Sequence, residues 1–206
     1  MAGRSRVTRE AIVECAARIV AEAGPGALTF QALATSLGVS KQAIIYWYPT
    51  KWELVLDLAL GGLRGEADAV IAAIAGTPSA TAAIGRFVRA LAAYHLADLG
   101  RFRALYLSPQ FGRRADLPEN ADVFLAPIHR TTAPMYAALA SAIAADPTFR
   151  PREDPRRLAV AAHAAGIGLL TMLALAESVE DPLAHGTDAL VDALVALLTG
   201  PAGAAQ

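Results

Sequence analysis

Apolar side chains recur at spacings of three and four residues along most of the chain, and this period predicts α-helices rather than strands. Glycine, proline and capping hydroxyl residues separate the successive stretches. The first stretch carries its apolar face at Ile12, Ala16, Ile19, Val20 and Ala23. The predicted helices cover about 8–23, 29–37, 40–48, 51–75, 79–98, 101–111, 119–145, 155–179 and 183–199. We therefore predict an all-α chain of about nine helices, with residues 201–206 as a tail.

Two of the predicted helices carry unusual features. Pro127 and Pro134 interrupt the seventh, and we expect a kink or split there because proline disrupts a helix interior. The eighth contains Leu158–Ala176, which has no formal charge over 19 residues and approaches the length of a membrane span. It includes His163 and many weakly apolar alanines, and charged residues flank it. We predict no membrane span, but a helix buried in a core or a subunit interface.

The charge is unevenly distributed. Residues 1–51 contain six basic and three acidic side chains, a formal charge of +3, whereas the remainder carries −4. The whole chain carries only −1 and is 55% apolar, which excludes a disordered chain. A basic N-terminal segment favours an anionic partner for that segment. Arg4, Arg6 and Arg9 form either an arm onto phosphates or the minor groove, or a disordered terminus.

The most specific pattern lies in residues 30–48, where two short predicted helices are joined by a tight turn. A helix-turn-helix requires a small residue where its helices cross, and Ala34 meets this requirement. The turn requires glycine four residues later, because φ is positive there, and this residue is Gly38. Ile44 supplies the apolar side chain that buries the second helix against the first. These matches predict a DNA-binding motif; an ordinary helical hairpin is the alternative.

Over about residues 8–60 the sequence resembles the TetR-type transcriptional repressors. The resemblance rests on TREAIVECAARIVAEAG and on LTFQALATSLGVSKQAIIYWYPTKWEL. In that family an aromatic cluster precedes a Ser/Thr/Asn-Lys pair that opens the fourth helix, and residues 46–51 are similar. One position differs, because Ile45 stands where the family commonly has a tyrosine that touches phosphate or base. The resemblance implies a DNA-binding domain over residues 1–52 and a ligand-binding and dimerisation domain over 53–200.

The first turn of the recognition helix is expected to face base edges in the major groove. This turn contains Ser40, Lys41, Gln42 and Ala43. Gln42 suits a bidentate pair with adenine, Lys41 suits guanine acceptors or phosphate, and Ala43 can touch a thymine methyl group. For Lys41 and Gln42 the alternative is plain solvent exposure.

Other predicted DNA contacts lie at the ends of helices. The hydroxyl of Thr29 and the free N–H groups beside it can bind phosphate. The TetR resemblance adds Lys51 as a phosphate anchor. We expect Trp47 to reach phosphate, Tyr46 to be partly packed and Tyr48 to lie in the core. The complete predicted DNA-binding set is Thr29, Ser40, Lys41, Gln42, Ala43, Tyr46, Trp47 and Lys51.

Beyond residue 60 the resemblance implies small-molecule binding and dimerisation. The last two predicted helices carry more small and apolar residues than one monomer core needs, so we predict a homodimer through these helices. We also expect an apolar pocket within helices five to eight for a neutral or weakly anionic, hydrophobic effector that releases DNA. Its candidate residues are Tyr94, His95, Arg103, Tyr106, His129, Met135, Tyr136, His163 and Met172.

Motifs for other chemistry are absent from the sequence. There is no G-x-S-x-G elbow, phosphate-binding glycine loop or H-E-x-x-H pattern, and the four histidines form no local metal motif. One cysteine, Cys15, excludes an intramolecular disulfide. We therefore expect no catalytic residue, metal or cofactor. The N-terminal residues also lack a secretory pattern, which predicts a cytoplasmic protein. Together with the TetR resemblance, the sequence predicts a ligand-responsive repressor of a palindromic operator. The alternative is an all-α scaffold that does not bind DNA.

Overall fold

A computed structural model describes residues 7–107, 121–149, 153–181 and 186–200. These residues form helices and no strand, which confirms the predicted all-α class. A 3₁₀ turn, Pro25–Ala27, follows the first helix, and a π-helical turn, Arg103–Leu107, follows the sixth. The helices are α1 Arg9–Ala23, α2 Phe30–Leu37, α3 Lys41–Trp47, α4 Lys51–Ile74, α5 Ala80–Leu96, α6 Leu99–Phe102, α7 Ala121–Ala145, α8 Pro155–Ser178 and α9 Thr187–Thr199.

Helix α7 runs through both of its prolines, so a split is wrong, and a kink stays a prediction. Each proline removes one backbone N–H from the helical ladder, and the other hydrogen bonds of a helix of 25 residues remain. A buried stripe also holds the helix in place, since Thr132, Met135, Leu139 and Ile143 are almost inaccessible to solvent. The apolar face therefore outweighs the local cost of the two prolines.

Two compact units divide the described residues. The first contains the residues up to Gly62 together with those between Arg103 and Pro127. Its core joins the apolar faces of α1, α2, α3 and the beginning of α4. The fully buried side chains there include Ile12, Leu33, Ile44, Tyr48 and Leu54. The predicted domain boundary after residue 52 falls near the start of α4, which continues into the second unit, and it stays a prediction.

In the second unit, helix α5 packs against both α8 and α9. Small residues allow the close approach of α5 and α8, because a Cβ atom on Gly166 would lie 2.6 Å from Cδ2 of Leu91. The opposite face of α8 is exposed and apolar, and it includes Val160, Met172, Leu175 and Val179. Within this chain, α8 therefore buries one face only, and the predicted subunit interface stays a prediction.

Helix α8 is also the one helix among the described residues that is long and apolar enough to cross a membrane. The mean hydropathy of its most apolar window is 2.0, and 33% of that window is buried in the protein. A core helix of a globular protein passes the same test of length and composition. One face of α8 packs against α5 and α9.

Asp146 ties the end of α7 to the beginning of α5. One carboxylate oxygen accepts a hydrogen bond from the backbone N–H of Ala80 at 2.9 Å. The other accepts from the N–H and hydroxyl of Thr148, at 2.8 and 2.6 Å, and from the N–H of Phe149. These donors favour the charged carboxylate, the Thr148 hydroxyl most of all, and lower the pKa of Asp146 to about 2.

We expect Asp146→Asn to lower the melting temperature by a few degrees at neutral pH, because an amide cannot accept at both positions. A lowered pKa in the folded state means that the carboxylate stabilises the fold above its ordinary pKa and ceases to do so as pH falls towards about 2. The difference from wild type in denaturant unfolding should therefore shrink over this acidic range. Asp68→Asn, at an exposed site on α4, is the control. A difference that persists to the lowest pH would contradict the assignment.

Candidate nucleic-acid interface and interior polar site

The turn between α2 and α3 has the predicted helix-turn-helix geometry. Gly38 ends α2 in the left-handed region, with φ 65° and ψ 31°. The N–H of Val39 then reaches back to the carbonyl oxygen of Ala34 at 3.0 Å, the bond expected where a glycine closes a helix. Ser40 opens α3, and its hydroxyl accepts from the N–H of Ala43 at 3.2 Å. The positive φ predicted for Gly38 is confirmed.

The first turn of α3 is presented outward on a buried support. Ile44 is fully buried, as predicted, in contact with the core that contains Leu33 and Ala34. Lys41 and Gln42 are exposed, whereas Ala43 is partly buried. The predicted base-reading side chains therefore lie on one accessible surface, and their contact with DNA stays a prediction.

The predicted phosphate-binding groups lie at the beginnings of α2 and α4. Thr29 caps α2, and its hydroxyl accepts from the N–H of Ala32 at 3.0 Å. Thr50 accepts from the N–H of Glu53 at 3.4 Å, and the exposed Lys51 follows as the first residue of α4. Both helix beginnings combine an exposed terminus with N–H groups suited to an anion.

The two aromatic residues at the end of α3 are arranged differently from the prediction. Tyr46 is 79% exposed, so the expected partial packing is wrong. Trp47 is half-buried, and its Nε1 donates to the carbonyl oxygen of Val7 at 3.1 Å. The reason is helical spacing: Trp47 follows Ile44 by three residues and shares its inward face, whereas Tyr46 follows by two and points away. Tyr48 is fully buried, as predicted.

A charged cluster missed by the sequence analysis fixes α3 against its neighbours. Arg9 Nε donates to Oδ2 of Asp57 at 2.7 Å, and the Tyr48 hydroxyl donates to the same oxygen at 2.6 Å. The Arg9 guanidinium also lies 4.7 Å from the centre of the Tyr48 ring. Burial, followed by the hydrogen bond to Asp57, raises the pKa of Tyr48, so the phenol remains a donor.

This cluster removes Arg9 from the predicted arginine arm. Arg9 is the first residue of α1, and its ion pair with Asp57 holds the side chain against α4. The hydrogen bond to Asp57 raises the pKa of Arg9. Arg4 and Arg6 lie outside the described residues. The three helices that meet here carry or adjoin the candidate DNA-binding residues.

The predicted effector residues fall into three groups. Met135 and His95 are fully buried in the second unit, with Tyr94, Tyr136 and His163 partly buried there. His129 and Met172 are exposed, so their predicted interior placement is wrong. Each lies on a face of its helix that points away from the core. Arg103 and Tyr106 belong to the first unit. Ligand binding by any member of this set stays a prediction.

Glu66, which was not predicted from the sequence, joins two of them directly, and Tyr136 contacts one of these two. Oε2 of Glu66 accepts from Nε2 of His95 at 2.9 Å, and its Oε1 accepts from Nε2 of His163 at 2.9 Å. The Tyr136 hydroxyl lies 2.8 Å from Nδ1 of His163. We call Glu66, His95, Tyr136 and His163 the interior polar site.

One sequence signal points to Glu66. It lies on the face of α4 that carries Leu63, Ala67, Val70 and Ile74, all of them buried. A carboxylate within such an apolar stripe is a buried charge that needs partners. Its partners lie on other helices, up to 97 residues away in the chain, where no local pattern reveals them.

Comparison with known proteins identifies the first unit. Residues 12–58 match the model of bacterial regulatory proteins of the tetR family. No match was found among curated proteins. The match to the family model and the geometry of α2 and α3 define a DNA-binding transcriptional regulator. Residues 12–58 belong to the tetR family of bacterial regulatory proteins.

Solved structures extend the likeness of fold to almost the whole chain. The regulatory protein SCO4313 is 24% identical, with a TM-score of 0.72 over 94% of this chain and 95% of that one. FadR from Bacillus subtilis, in complex with stearoyl-CoA, is 14% identical, with a TM-score of 0.72 over 95% and 100%. PfmR from Thermus thermophilus is 25% identical, with a TM-score of 0.60 over 89% and 96%.

Gly38→Val is expected to abolish specific DNA binding while the protein remains folded. A β-branched residue at φ 65° is strained by about 1–2 kcal/mol or more, and the strain is relieved by tilting α3. Gly26→Val is the matched control, because both glycines have open space around an added Cβ and only Gly38 has a positive φ. Retention of specific binding by Gly38→Val in a gel-shift titration would contradict the turn geometry.

The two aromatic residues of α3 should respond to substitution in opposite ways. Tyr46→Phe removes only an exposed hydroxyl, so we expect weaker binding to duplex DNA and an unchanged free energy of unfolding. Trp47→Phe removes the hydrogen bond to Val7 and should lower the free energy of unfolding by about 1 kcal/mol. Denaturant unfolding and gel-shift titration measure the two effects. A Trp47→Phe protein of unchanged stability and reduced DNA affinity would instead support the predicted phosphate contact of Trp47.

Proposed function

We propose that this chain represses transcription as a homodimer, bound to an imperfect palindromic operator until a small hydrophobic effector releases it. The observation that carries the proposal is the exposed first turn of α3, capped by Ser40 and held on the buried side chain of Ile44. A rigid, outward-facing helix N-terminus is the form in which helix-turn-helix proteins read base edges.

Different side chains serve specificity and affinity in this proposal. Gln42 offers a bidentate amide for adenine, and Lys41 offers an ammonium group for guanine or phosphate. Thr29 and Lys51, at the beginnings of α2 and α4, hold the backbone of the duplex. The exposed hydroxyl of Tyr46 takes the phosphate contact that the sequence analysis gave to Trp47. Ile45 is half-buried and has no hydroxyl. Tyr46, at the next position, therefore replaces the tyrosine donor that the family commonly has in place of Ile45.

The exposed apolar surface of the last two helices supports the homodimer. Val160, Met172, Leu175 and Val179 follow one side of α8, and Leu197 on α9 is 80% exposed. Large exposed apolar surfaces favour association with another protein surface. Two-fold association through α8 and α9 would form a four-helix bundle and would match a palindromic operator. The recognition helices of such a dimer read half-sites about 34 Å apart.

The effector belongs to the second unit in this proposal. FadR from Bacillus subtilis, which shares the fold, is in complex with stearoyl-CoA. A largely apolar body of helices suits a hydrophobic ligand, and binding need only favour the DNA-free state to release the operator. The protein would act in the cytoplasm, beside its DNA, without a catalytic step or cofactor.

Two substitutions separate affinity from specificity. We expect Lys51→Ala to weaken binding about equally on all sequences and to reduce the slope of log K against log salt by about one. Gln42→Ala should instead relax preference at one base position per half-site, at a cost of about 1–3 kcal/mol. The operator would first be selected from random duplexes with the wild-type dimer, and affinities measured at several salt concentrations.

Arg64→Ala is the matched control for Lys51→Ala. Arg64 is exposed on the same helix, in the second unit, so its loss removes the same charge away from the proposed interface. The control should leave both the affinity and the salt slope unchanged. If Lys51→Ala and Gln42→Ala both bind like wild type, the proposed interface is wrong.

A further inference from the structure

The interior polar site joins four helices of the second unit through hydrogen bonds. Glu66 comes from α4, His95 from α5, Tyr136 from α7 and His163 from α8. Glu66 and His95 are fully buried, and the side chain of His163 is 12% exposed. Burial of a carboxylate in an apolar body costs free energy. The charge of Glu66, and not its packing, is therefore what distinguishes this site.

Tyr136 keeps its hydroxyl proton at neutral pH. Burial, together with the charge of Glu66, raises the pKa of Tyr136 to about 12, and its hydroxyl lies 2.8 Å from Nδ1 of His163. Because a carboxylate accepts and cannot donate, Nε2 of His163 carries the proton that it shares with Oε1 of Glu66.

Aromatic rings surround the two imidazoles. His95 has Tyr94 and Phe102 edge-on, with ring centres 5.0 and 5.1 Å away. His163 has Phe87 and Tyr136 in the same arrangement, at 6.4 and 5.5 Å. Ring faces attract organic cations, and a buried carboxylate attracts them more strongly.

One cation already lies on this aromatic group. The Arg101 guanidinium is 4.3 Å from the centre of the Tyr94 ring, and it donates to the Tyr94 carbonyl oxygen. Its charge is matched by Asp98, whose carboxylate lies 3.5 Å away. Tyr94 also stands against the α4 backbone at Gly65, beside Glu66, where an added Cβ would clash with its hydroxyl. A ring that accepts a cation therefore adjoins the carboxylate.

Tyr136 and His163 are the less buried members of the interior polar site. Exposure increases from Glu66, at 0%, to His163 and the partly buried Tyr136. A ligand group approaching past Tyr136 and His163 would have to displace their hydrogen bonds to reach Oε1 of Glu66.

We propose that Glu66 is the polar anchor of the effector site, and that it selects a hydrophobic molecule carrying a protonated or quaternary amine over a carboxylate of the same size. The inference rests on the proposed function, because it places the anchor within the effector site of the second unit. It replaces the neutral or weakly anionic effector expected from the sequence. An anionic head group would have to approach a buried carboxylate of like charge, whereas an ammonium group is attracted.

Three probes of matched chain length test the selection in the wild-type dimer. They are octyltrimethylammonium, its uncharged carbon isostere and octanoate, with binding measured by isothermal titration calorimetry below their aggregation concentrations. We expect the ammonium probe to bind at least about tenfold more tightly than the isostere, and octanoate to bind most weakly. Equal affinities, tighter binding of octanoate or no binding of the ammonium probe would each overturn the proposal.

Substitution of Glu66 assigns the preference to this residue. Glu66→Gln keeps the shape and removes the charge, and one imidazole can change its tautomer to accept from the new amide. We expect Glu66→Gln to lose the preference for ammonium and Glu66→Asp to retain it. Asp68→Asn removes an exposed carboxylate two residues away on α4 and should bind like wild type. If the site only stabilised the fold, Glu66→Gln would change the melting temperature and leave the ranking of the probes intact.

Operator affinity in the absence of any probe separates this inference from the proposed function. A wild-type dimer that binds its selected operator and fails to prefer the ammonium probe overturns the inference alone. A protein that prefers the ammonium probe and binds no operator overturns the repressor proposal. Should Glu66→Gln fail to fold by circular dichroism, the three wild-type affinities still decide whether the effector site selects a cation.

Discussion

The DNA-binding surface depends on the burial of two helices that are too short to stand alone. Helix α2 has 8 residues and α3 has 7, below the length of about 12 residues at which isolated helices become even marginal in water. Tertiary contacts must therefore supply their stability. Ile44 and Tyr48 anchor α3 from one face, while Ser40 satisfies a backbone N–H at its beginning. The opposite face of α3 carries polar side chains, which do not contribute to the core.

The same constraint explains the charged cluster beneath α3. A short helix anchored along one face by apolar contacts can still rotate or slide, because such contacts have little directional preference. Hydrogen bonds are directional, and the shared oxygen of Asp57 receives both Tyr48, just after α3, and Arg9, at the start of α1. The hydrophobic contacts thus supply the stability of α3, and the cluster fixes its orientation.

Local sequence was sufficient to predict most of the helices, the turn and the placement of Tyr48, because each depends on spacing within about ten residues. The helix predicted at 101–111 is an exception, because α6 ends at Phe102 and a π-helical turn, Arg103–Leu107, follows it. Positions were predicted wrongly or missed where a single helix had two plausible faces or where the partners of a residue were distant in the sequence. The exposure of Tyr46 is of the first kind, and its spacing from Ile44 was sufficient to predict it. Glu66 and His163 are of the second kind, since they meet across 97 residues. The split expected in α7 failed because local proline chemistry was outweighed by a long buried face.

Stability alone is a weak explanation for the interior polar site. A buried, hydrogen-bonded charge can often be replaced by apolar residues of similar volume with no loss of stability, whereas removal of one partner is destabilising. Glu66 is surrounded on α4 by Leu63, Ala67 and Val70, which show how readily an apolar residue fits this face. A carboxylate there offers what an apolar residue cannot: a fixed charge, held by directional bonds from two other helices. In the proposed effector site, such a group would discriminate between ligands by charge, which a purely apolar pocket cannot do.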